Sequence, residues 1–224
     1  MARKNRLAAP GLHYHVVNRG NDRRVIFLQN CDYVAFIELL AAGVRRFEVQ
    51  IFGYCLMPNH FHLLASPLSE GALSAFMQWV TGRYACTFRQ LTETVGHGHV
   101  FQRRFWNAAV SDDLAFVAVL RYIEGNPVRG SLVPEADLWP WSSFTDRGAG
   151  SVRKILSPLP LKVPANWAAL VNGRQREETL AVIRAELCPV SGRRPRTTGM
   201  GQAHLASGGG ICEEVAQIAD PPPK

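Results

Sequence analysis

The chain of 224 residues lacks the features that mark membrane and disulfide-rich proteins. No apolar run approaches the roughly 18 residues that span a bilayer. The basic start MARKNRLAAPG is not followed by an apolar segment, so we expect no secretory signal. The five cysteines are an odd number without a CxxC pair, which argues against a disulfide framework or a cysteine zinc site. We therefore expect a cytoplasmic protein.

Lysine is also scarce. Only four of the 25 basic residues are lysine and the other 21 are arginine; against 18 acidic residues they give a net charge of +7. Arginine binds phosphate through two parallel hydrogen bonds, which lysine cannot do. The excess indicates a nucleic-acid partner, and an association with the nucleoid would follow. A GC-rich gene would enrich arginine equally well, so the placement of the arginines must decide between the two explanations.

Hydrophobic patterning is dense up to about residue 150 and almost disappears after Cys188. The last stretch is rich in Gly, Ser, Thr and Arg, and the closing DPPPK cannot continue a helix or strand. We predict a folded domain over 1–150, a short helical annex over 151–190 and a disordered tail over 191–224. Because the motifs described below end at Asn126, we expect residues 1–150 to suffice for activity.

The order of predicted elements indicates an α+β fold. Strands are predicted over 12–18, 49–56, 60–66 and 104–111, and helices over 32–47, 71–91 and 112–126. The first six elements follow the ferredoxin-like, split βαβ order, which forms an antiparallel sheet with helices on one face. The seventh element is an added C-terminal helix. The second face of the sheet is left for a ligand or for that helix.

Three HxH triplets are candidates for a metal site. They are His13-Tyr14-His15, His60-Phe61-His62 and His97-Gly98-His99. Residues i and i+2 of a strand point to the same side. Only the middle pair lies inside an apolar strand directly after a tight turn, so it is the pair that the pattern favours. The alternative is a pair of hydrogen-bonded histidines on a half-buried strand.

A second cluster lies near the end of the added helix. Tyr122 and Asn126 are four residues apart and would share one helix face, with Arg121 and Arg129 on either side. A phenol, an amide oxygen and two guanidinium groups could serve as nucleophile, metal ligand and phosphate clamps. The alternative is a packed tyrosine and an ordinary helix stop before Pro127.

Together the two clusters resemble the single-tyrosine HUH transposases, and most closely the REP-associated tyrosine transposases. Further similar stretches are YHVVNRGNDRRVIF, GYCLMPNHFHLL, VFQRRFW, RYIEGNPVRGSLV and WPWSSF. The resemblance extends over about residues 10–145. The chain after Cys188 does not resemble that family.

The resemblance implies a set of site residues. His60 and His62 would be metal ligands, Asn126 the third ligand, and Tyr122 the nucleophile that forms a 5′-phosphotyrosine and releases a 3′-hydroxyl. Such a ligand set leaves open positions that suit Mg²⁺ or Mn²⁺. The DNA-binding residues we expect are Arg19, Arg23, Arg24, Arg103, Arg104, Arg121 and Arg129.

The resemblance implies a transposase that cleaves and rejoins single-stranded or hairpin DNA, acting as a monomer or homodimer. Two alternatives remain at this point. One is a domesticated, sequence-specific DNA-binding protein. The other is a metal-dependent single-strand phosphodiesterase that uses water, in which Tyr122 only packs.

Overall fold

A computed structural model describes residues 8–96, 98–150 and 153–186. In this part of the chain four antiparallel strands form one sheet in the order β2-β3-β1-β4. The strands are β1 (His13–Arg19), β2 (Val49–Met57), β3 (His60–Pro67) and β4 (Trp106–Val110). The helices are α1 (Asn30–Arg46), α2 (Ala72–Leu91), α3 (Asp113–Glu124), α4 (Asn126–Arg129), α5 (Ser143–Gly148), α6 (Trp167–Asn172) and α7 (Glu177–Glu186).

The chain order and the strand order confirm the predicted ferredoxin-like fold. The largest difference among the strands is at β4, which begins at Trp106 rather than at residue 104. The residues before it run along the end of β1 instead. Gly20 and Phe101 form an isolated bridge, and Gln102 N donates to Arg19 O at 2.9 Å.

One face of the sheet packs against α1 and α2. Val16 and Leu63 from the sheet, Phe36 from α1 and Phe76 from α2 are fully buried in one hydrophobic cluster. α1 and α2 approach closely at Gly43, where a Cβ would lie 2.7 Å from the Phe76 ring. This cluster is the main core of the protein.

The added helix α3 covers the second face of the sheet. Phe52 and Leu64 from the sheet and Phe116 and Leu120 from α3 belong to a second buried cluster. The close approach needs Gly53, since a Cβ there would lie 2.6 Å from Leu120 Cδ1. The face that the fold left open is therefore used by the helix that carries Tyr122.

The described part of the annex, residues 153–186, packs onto the outer side of α3. Leu180 and Ile183 of α7 are buried in the same cluster as α3, and Leu159, Leu161 and Trp167 pack against it. The structure therefore joins this part of the predicted annex to the core of the first 150 residues. The predicted tail over 191–224 lies outside the described residues. Within them, none of the helices has the length and apolar character to cross a bilayer.

The helix predicted over 112–126 is divided into α3 and α4. It begins as expected, with the Asp112 side chain accepting a hydrogen bond from Ala115 N at 2.9 Å. α3 ends at Glu124, and Gly125 takes φ −84° and ψ 1°. Pro127 then occupies the first turn of α4, where its missing N–H leaves no helical bond unmade. Proline therefore starts a new turn here, and Tyr122 and Asn126 lie on separate helices.

Candidate active site

His60 and His62 project from β3 toward α3. The next alternate residue, Leu64, belongs to the α3 cluster, whereas Phe61 and Leu63 belong to the main core. The two imidazole centroids are 5.0 Å apart and the rings are nearly perpendicular, at 82°. The alternation of the strand thus places both rings on the face that also receives Tyr122.

The Nδ1 atom of each imidazole is already engaged. His60 Nδ1 lies 2.6 Å from Asn59 Oδ1, in the turn that precedes β3. His62 Nδ1 lies 2.9 Å from Nε2 of His15, a fully buried residue of β1. Since a metal-binding imidazole uses one nitrogen and hydrogen-bonds through the other, these contacts leave Nε2 of both rings for a metal ion.

Burial keeps both imidazoles neutral. It lowers the pKa of His60 to about 3, with the charge of Arg19 as the second cause. The pKa of His62 is well below its usual range, first because of burial and then because of His60, His15 and the nearby arginines. A neutral imidazole is the form that binds a metal ion.

Tyr122 lies beside the histidines. Its ring, 7% exposed, meets the His62 ring edge-on with centroids 5.7 Å apart, and the His15 ring with centroids 6.0 Å apart. The Arg129 guanidinium carbon lies 4.3 Å from the centroid of the Tyr122 ring, and Arg129 Nη2 donates to the Tyr122 carbonyl. A phenol, a cation and two imidazoles therefore come together within one chain.

Asn126 begins α4 at the same end of the sheet. α4 approaches β2 so closely that a Cβ at Gly130 would lie 3.0 Å from Met57 Cε, and Met57 pairs with His60 across the sheet. The Asn126 side chain is buried and its Nδ2 has no hydrogen-bond partner among the described residues. Its amide is therefore not fully used to stabilise the fold.

The donor atoms of His60 and His62 are of a kind that divalent ions accept. No group of three His, Cys, Asp or Glu side chains able to hold a metal occurs within the described part of the chain. A site at His60 and His62 therefore needs a third ligand of another type, and the Asn126 carboxamide oxygen is such a donor. Two imidazole nitrogens and an amide oxygen are compatible with Mg²⁺ or Mn²⁺.

Five of the seven predicted DNA-binding arginines lie near the same end of β1, and we call this set the arginine edge. Arg19 pairs with His60 across the sheet. Arg23 and Arg24 are exposed in the following loop, and Arg103 and Arg104 are exposed on the segment that runs along the end of β1. The arginine edge thus adjoins the end of the sheet that carries His60.

The loop of the arginine edge is fixed to the turn before His60. Asp22 and Arg23 both have positive φ, 51° and 58°, a conformation that is uncommon outside glycine. Asn59 Nδ2 donates to Arg23 O at 3.1 Å, and Gly20 N donates to Asn59 O at 2.9 Å. Asn59 therefore contacts both the loop and His60.

Arg121 does not join this set. Its Nε donates to Leu170 O at 2.6 Å, and its Nη2 donates to Gly173 O at 3.2 Å and Arg174 O at 3.3 Å. These bonds hold Arg121 apart from the arginine edge, and its predicted phosphate-binding role stays a prediction. The guanidinium anchors the segment at the end of α6 by donating to carbonyls that have no partner within the helix.

Sequence reasoning missed His15, although its triplet was considered. The signal that could have found it is the antiparallel pairing of β1 with β3. That pairing places the histidines of β1 and those of β3 on the same face of two adjacent strands. In the third triplet, His97 lies outside the described residues and His99 is exposed. Glu124, which is described below, was also missed, because its partners are far away in sequence.

Comparison with known proteins gives one family. The profile of the family described as "Transposase IS200 like" matches residues 8–126, more than half of the chain. A REP-associated tyrosine transposase of Escherichia coli is 25% identical over 134 residues, covering 60% of this chain and 76% of the relative. A Haemophilus influenzae protein described in the same terms is 25% identical over 132 residues, covering 55% and 68%.

A solved structure agrees in fold. It is a REP-associated tyrosine transposase bound to a REP hairpin, with a TM-score of 0.54 and 21% identity. The match covers 74% of this chain and 96% of the solved chain. The family match includes His60, His62, Tyr122 and Asn126. This chain therefore belongs to the IS200-like transposase family of DNA-processing enzymes and is similar to its REP-associated members.

Proposed function

We propose that this protein cleaves and rejoins single-stranded, hairpin-forming DNA through a covalent bond to Tyr122. His60, His62 and Asn126 would hold Mg²⁺ or Mn²⁺. The observation that carries the proposal is the edge-on packing of Tyr122 against His62, with centroids 5.7 Å apart. The REP hairpin bound to the solved relative supports a hairpin substrate. The cytoplasm and the nucleoid are the proposed place of action.

The chemistry needs no external energy source. The Tyr122 oxygen attacks the phosphorus and loses its proton to solvent. The bond from phosphorus to the 3′ oxygen breaks, and that oxygen takes up a proton. The new ester keeps the energy of the broken bond, so attack by a 3′-hydroxyl can reverse the step and join two strands. A divalent ion, when bound, offsets the charge of the phosphate and orients it.

Arg129 is the proposed partner of the tyrosine. Its guanidinium lies over the ring at 4.3 Å, whereas Arg121 is bonded to carbonyls of the segment after α6. A cation next to the ring stabilises the negative charge that develops on the phenol oxygen during attack. Of the two arginines that flank the tyrosine, the geometry therefore favours Arg129.

The arginine edge is the proposed DNA-binding surface. The half-buried Arg19 pairs with His60 across the sheet, and the other four guanidinium groups are exposed on the adjoining segments, so a strand held there would pass close to His60. One chain supplies both the histidines and the tyrosine of a site. This supports cleavage in cis, whether the protein is a monomer or a homodimer.

A doubly labelled oligonucleotide tests the proposal. A REP-like hairpin with a single-stranded flank is labelled on either side of the cut in separate reactions, with Mn²⁺ present. We expect the label 3′ of the cut to migrate with the protein and the label 5′ of it to leave with a 3′-hydroxyl. Tyr122→Phe removes one oxygen and keeps the ring, so it should abolish the adduct while DNA affinity is retained.

Tyr84→Phe is the control for this assay, because Tyr84 is buried in the main core and its hydroxyl donates to Ile26 O. This variant should form the adduct.

The same assay distinguishes the two alternative functions. Cleavage by the Tyr122 variant without an adduct would indicate hydrolysis by water. Hairpin binding without any cleavage, at every Mn²⁺ or Mg²⁺ concentration, would indicate a DNA-binding protein. Either result would overturn the proposal.

A further inference from the structure

A fully buried carboxylate lies between the proposed nucleophile and the proposed third ligand. Glu124 is the last residue of α3, two positions after Tyr122 and two before Asn126, and its exposure is 0%. Its side chain points away from solvent into a set of three donors. None of the steps proposed above uses this group.

The three donors come from two other helices. Ser143 Oγ of α5 donates to Glu124 Oε1 at 2.7 Å, and Arg147 Nη2 of α5 donates to the same oxygen. Trp167 Nε1 of α6 donates to Glu124 Oε2 at 2.7 Å. Arg147 also donates to Phe52 O of β2 at 3.0 Å, so it links the α3–α4 junction directly to the sheet.

Residues 170–175, at and after the end of α6, make further contacts with the last turns of α3. Arg121 donates to three backbone carbonyls between residues 170 and 174. Gln175 Nε2 donates to Ala118 O at 3.3 Å. Gly125, between the two helices, lies so close to α6 that a Cβ would be 2.9 Å from Val171 O. The junction is therefore enclosed by α5 and by residues 167–175, and the second of these segments follows the predicted domain boundary at 150.

A buried ion pair is a poor source of net stability, because desolvation of both charges cancels most of their attraction. Three donors from two helices instead fix the orientation of the carboxylate. Since Glu124 is the residue at which α3 ends, fixing it also fixes the angle at which α4 starts. That angle determines where Asn126 lies relative to His60 and His62.

We propose that Glu124 is a positioning residue of the active site and that α5 and residues 167–175 belong to the catalytic unit because they hold it. The inference rests on the proposed function, which makes Tyr122 the nucleophile and Asn126 a metal ligand. All the donors lie beyond residue 126, where the match to the family profile ends.

Two tryptophans give a matched test in the full-length protein. Trp167→Phe removes the N–H donor to Glu124 and keeps an aromatic ring. Trp139→Phe removes a similar bond, from Trp139 Nε1 to Leu56 O at 3.0 Å, which does not involve the α3–α4 junction. Both tryptophans are half-buried, so a comparable loss of thermal stability is expected. Glu124→Gln is the third variant, because its amide presents N–H groups to donors.

The expected result separates positioning from stability. Trp167→Phe and Glu124→Gln should lower the single-turnover rate of adduct formation at saturating DNA at least tenfold, with DNA affinity unchanged. They should also weaken Mn²⁺ binding measured by calorimetry without DNA. Trp139→Phe should change the rate and the Mn²⁺ affinity less than twofold.

Equal effects of the two tryptophan variants, or wild-type behaviour of both Trp167→Phe and Glu124→Gln, would overturn the inference. If the wild-type protein forms no adduct, the proposed function fails, and the Mn²⁺ affinities alone decide whether Glu124 positions a metal ligand. Failure of the inference and failure of the function are thus read from different measurements.

Discussion

At the scale of single residues, His15 takes the place that a carboxylate or carbonyl takes behind many metal-binding histidines. Its Nε2 lies 2.9 Å from His62 Nδ1, and it has 0% exposure. We expect His15→Ala to weaken Mn²⁺ binding about 10- to 100-fold, as loss of such outer partners does. Calorimetric titration with Mn²⁺ measures this directly.

His13 provides the control for that change. It lies two residues earlier on the same strand and packs edge-on against Phe52 and Phe116, with no contact to His62 among its ring contacts. His13→Ala should lower thermal stability and leave Mn²⁺ affinity unchanged. Wild-type affinity in the His15 variant would show that His62 is oriented without it.

Arg129 is the second residue to substitute, because a role in the attack by Tyr122 can be distinguished from a role in DNA binding. Arg129→Ala should lower the rate of adduct formation about 100-fold, since it removes a preorganised positive group from the attacking oxygen's surroundings. Arg129→Lys keeps the charge and loses the planar stacking, so its rate should be intermediate. The single-turnover rate at saturating DNA is the quantity to measure.

Arg104→Ala is the matched control, because Arg104 belongs to the arginine edge and is exposed. This variant should weaken DNA binding and keep the rate at saturation. If the two arginines gave the same pattern, Arg129 would be a phosphate contact rather than a partner of the tyrosine.

At the scale of elements, the junction between α3 and α4 depends on Gly125. A Cβ there would lie 2.9 Å from Val171 O and 3.1 Å from Arg121 O, both backbone atoms. We expect Gly125→Ala to destabilise the protein by about 1–3 kcal/mol, as overpacking does. The midpoint of urea unfolding measures this, and the adduct rate should fall with it.

Gly82→Ala in α2 is the comparison, because a Cβ at Gly82 meets nothing within 4 Å. There the better helix propensity of alanine should raise stability by up to about 1 kcal/mol. A stable, fully active Gly125 variant would mean that α6 can move away without cost.

The elements themselves were largely predictable from sequence, because period-2 and period-3.6 patterns are local. The strand with His60 and His62 and the cap at Asp112 follow from such patterns. The pairing of His15 with His62 joins residues 47 positions apart, and the donors to Glu124 lie 19 to 43 positions downstream. Those contacts depend on strand register and helix packing, which no local pattern contains.

At the scale of the whole molecule, α3 and its C-terminal residue Glu124 contact residues on both sides of the boundary predicted at residue 150. A fragment of residues 1–150 loses Leu180, Ile183 and the Trp167 donor, which exposes the outer side of α3. The sequence alone suggested that this fragment suffices. From the structure we expect it to unfold at lower urea concentration and to form no adduct.

A fragment of residues 1–186 is the partner experiment, because it keeps every described contact of α3. It should match the full-length protein in urea unfolding and in adduct formation. Full activity of the 1–150 fragment would support the domain boundary predicted at residue 150. It would also contradict the role given to Glu124.

The order in which these contacts are made along the chain has a consequence for synthesis. The histidines, the tyrosine and Asn126 are all translated before Trp167, which supplies the last donor to Glu124. A nascent chain on the ribosome, or a product of premature termination before residue 167, would carry every recognisable motif without the enclosure of the α3–α4 junction. Such a chain would bind DNA through the arginine edge without cutting it, so cutting would begin only after Trp167 has been translated and has reached Glu124.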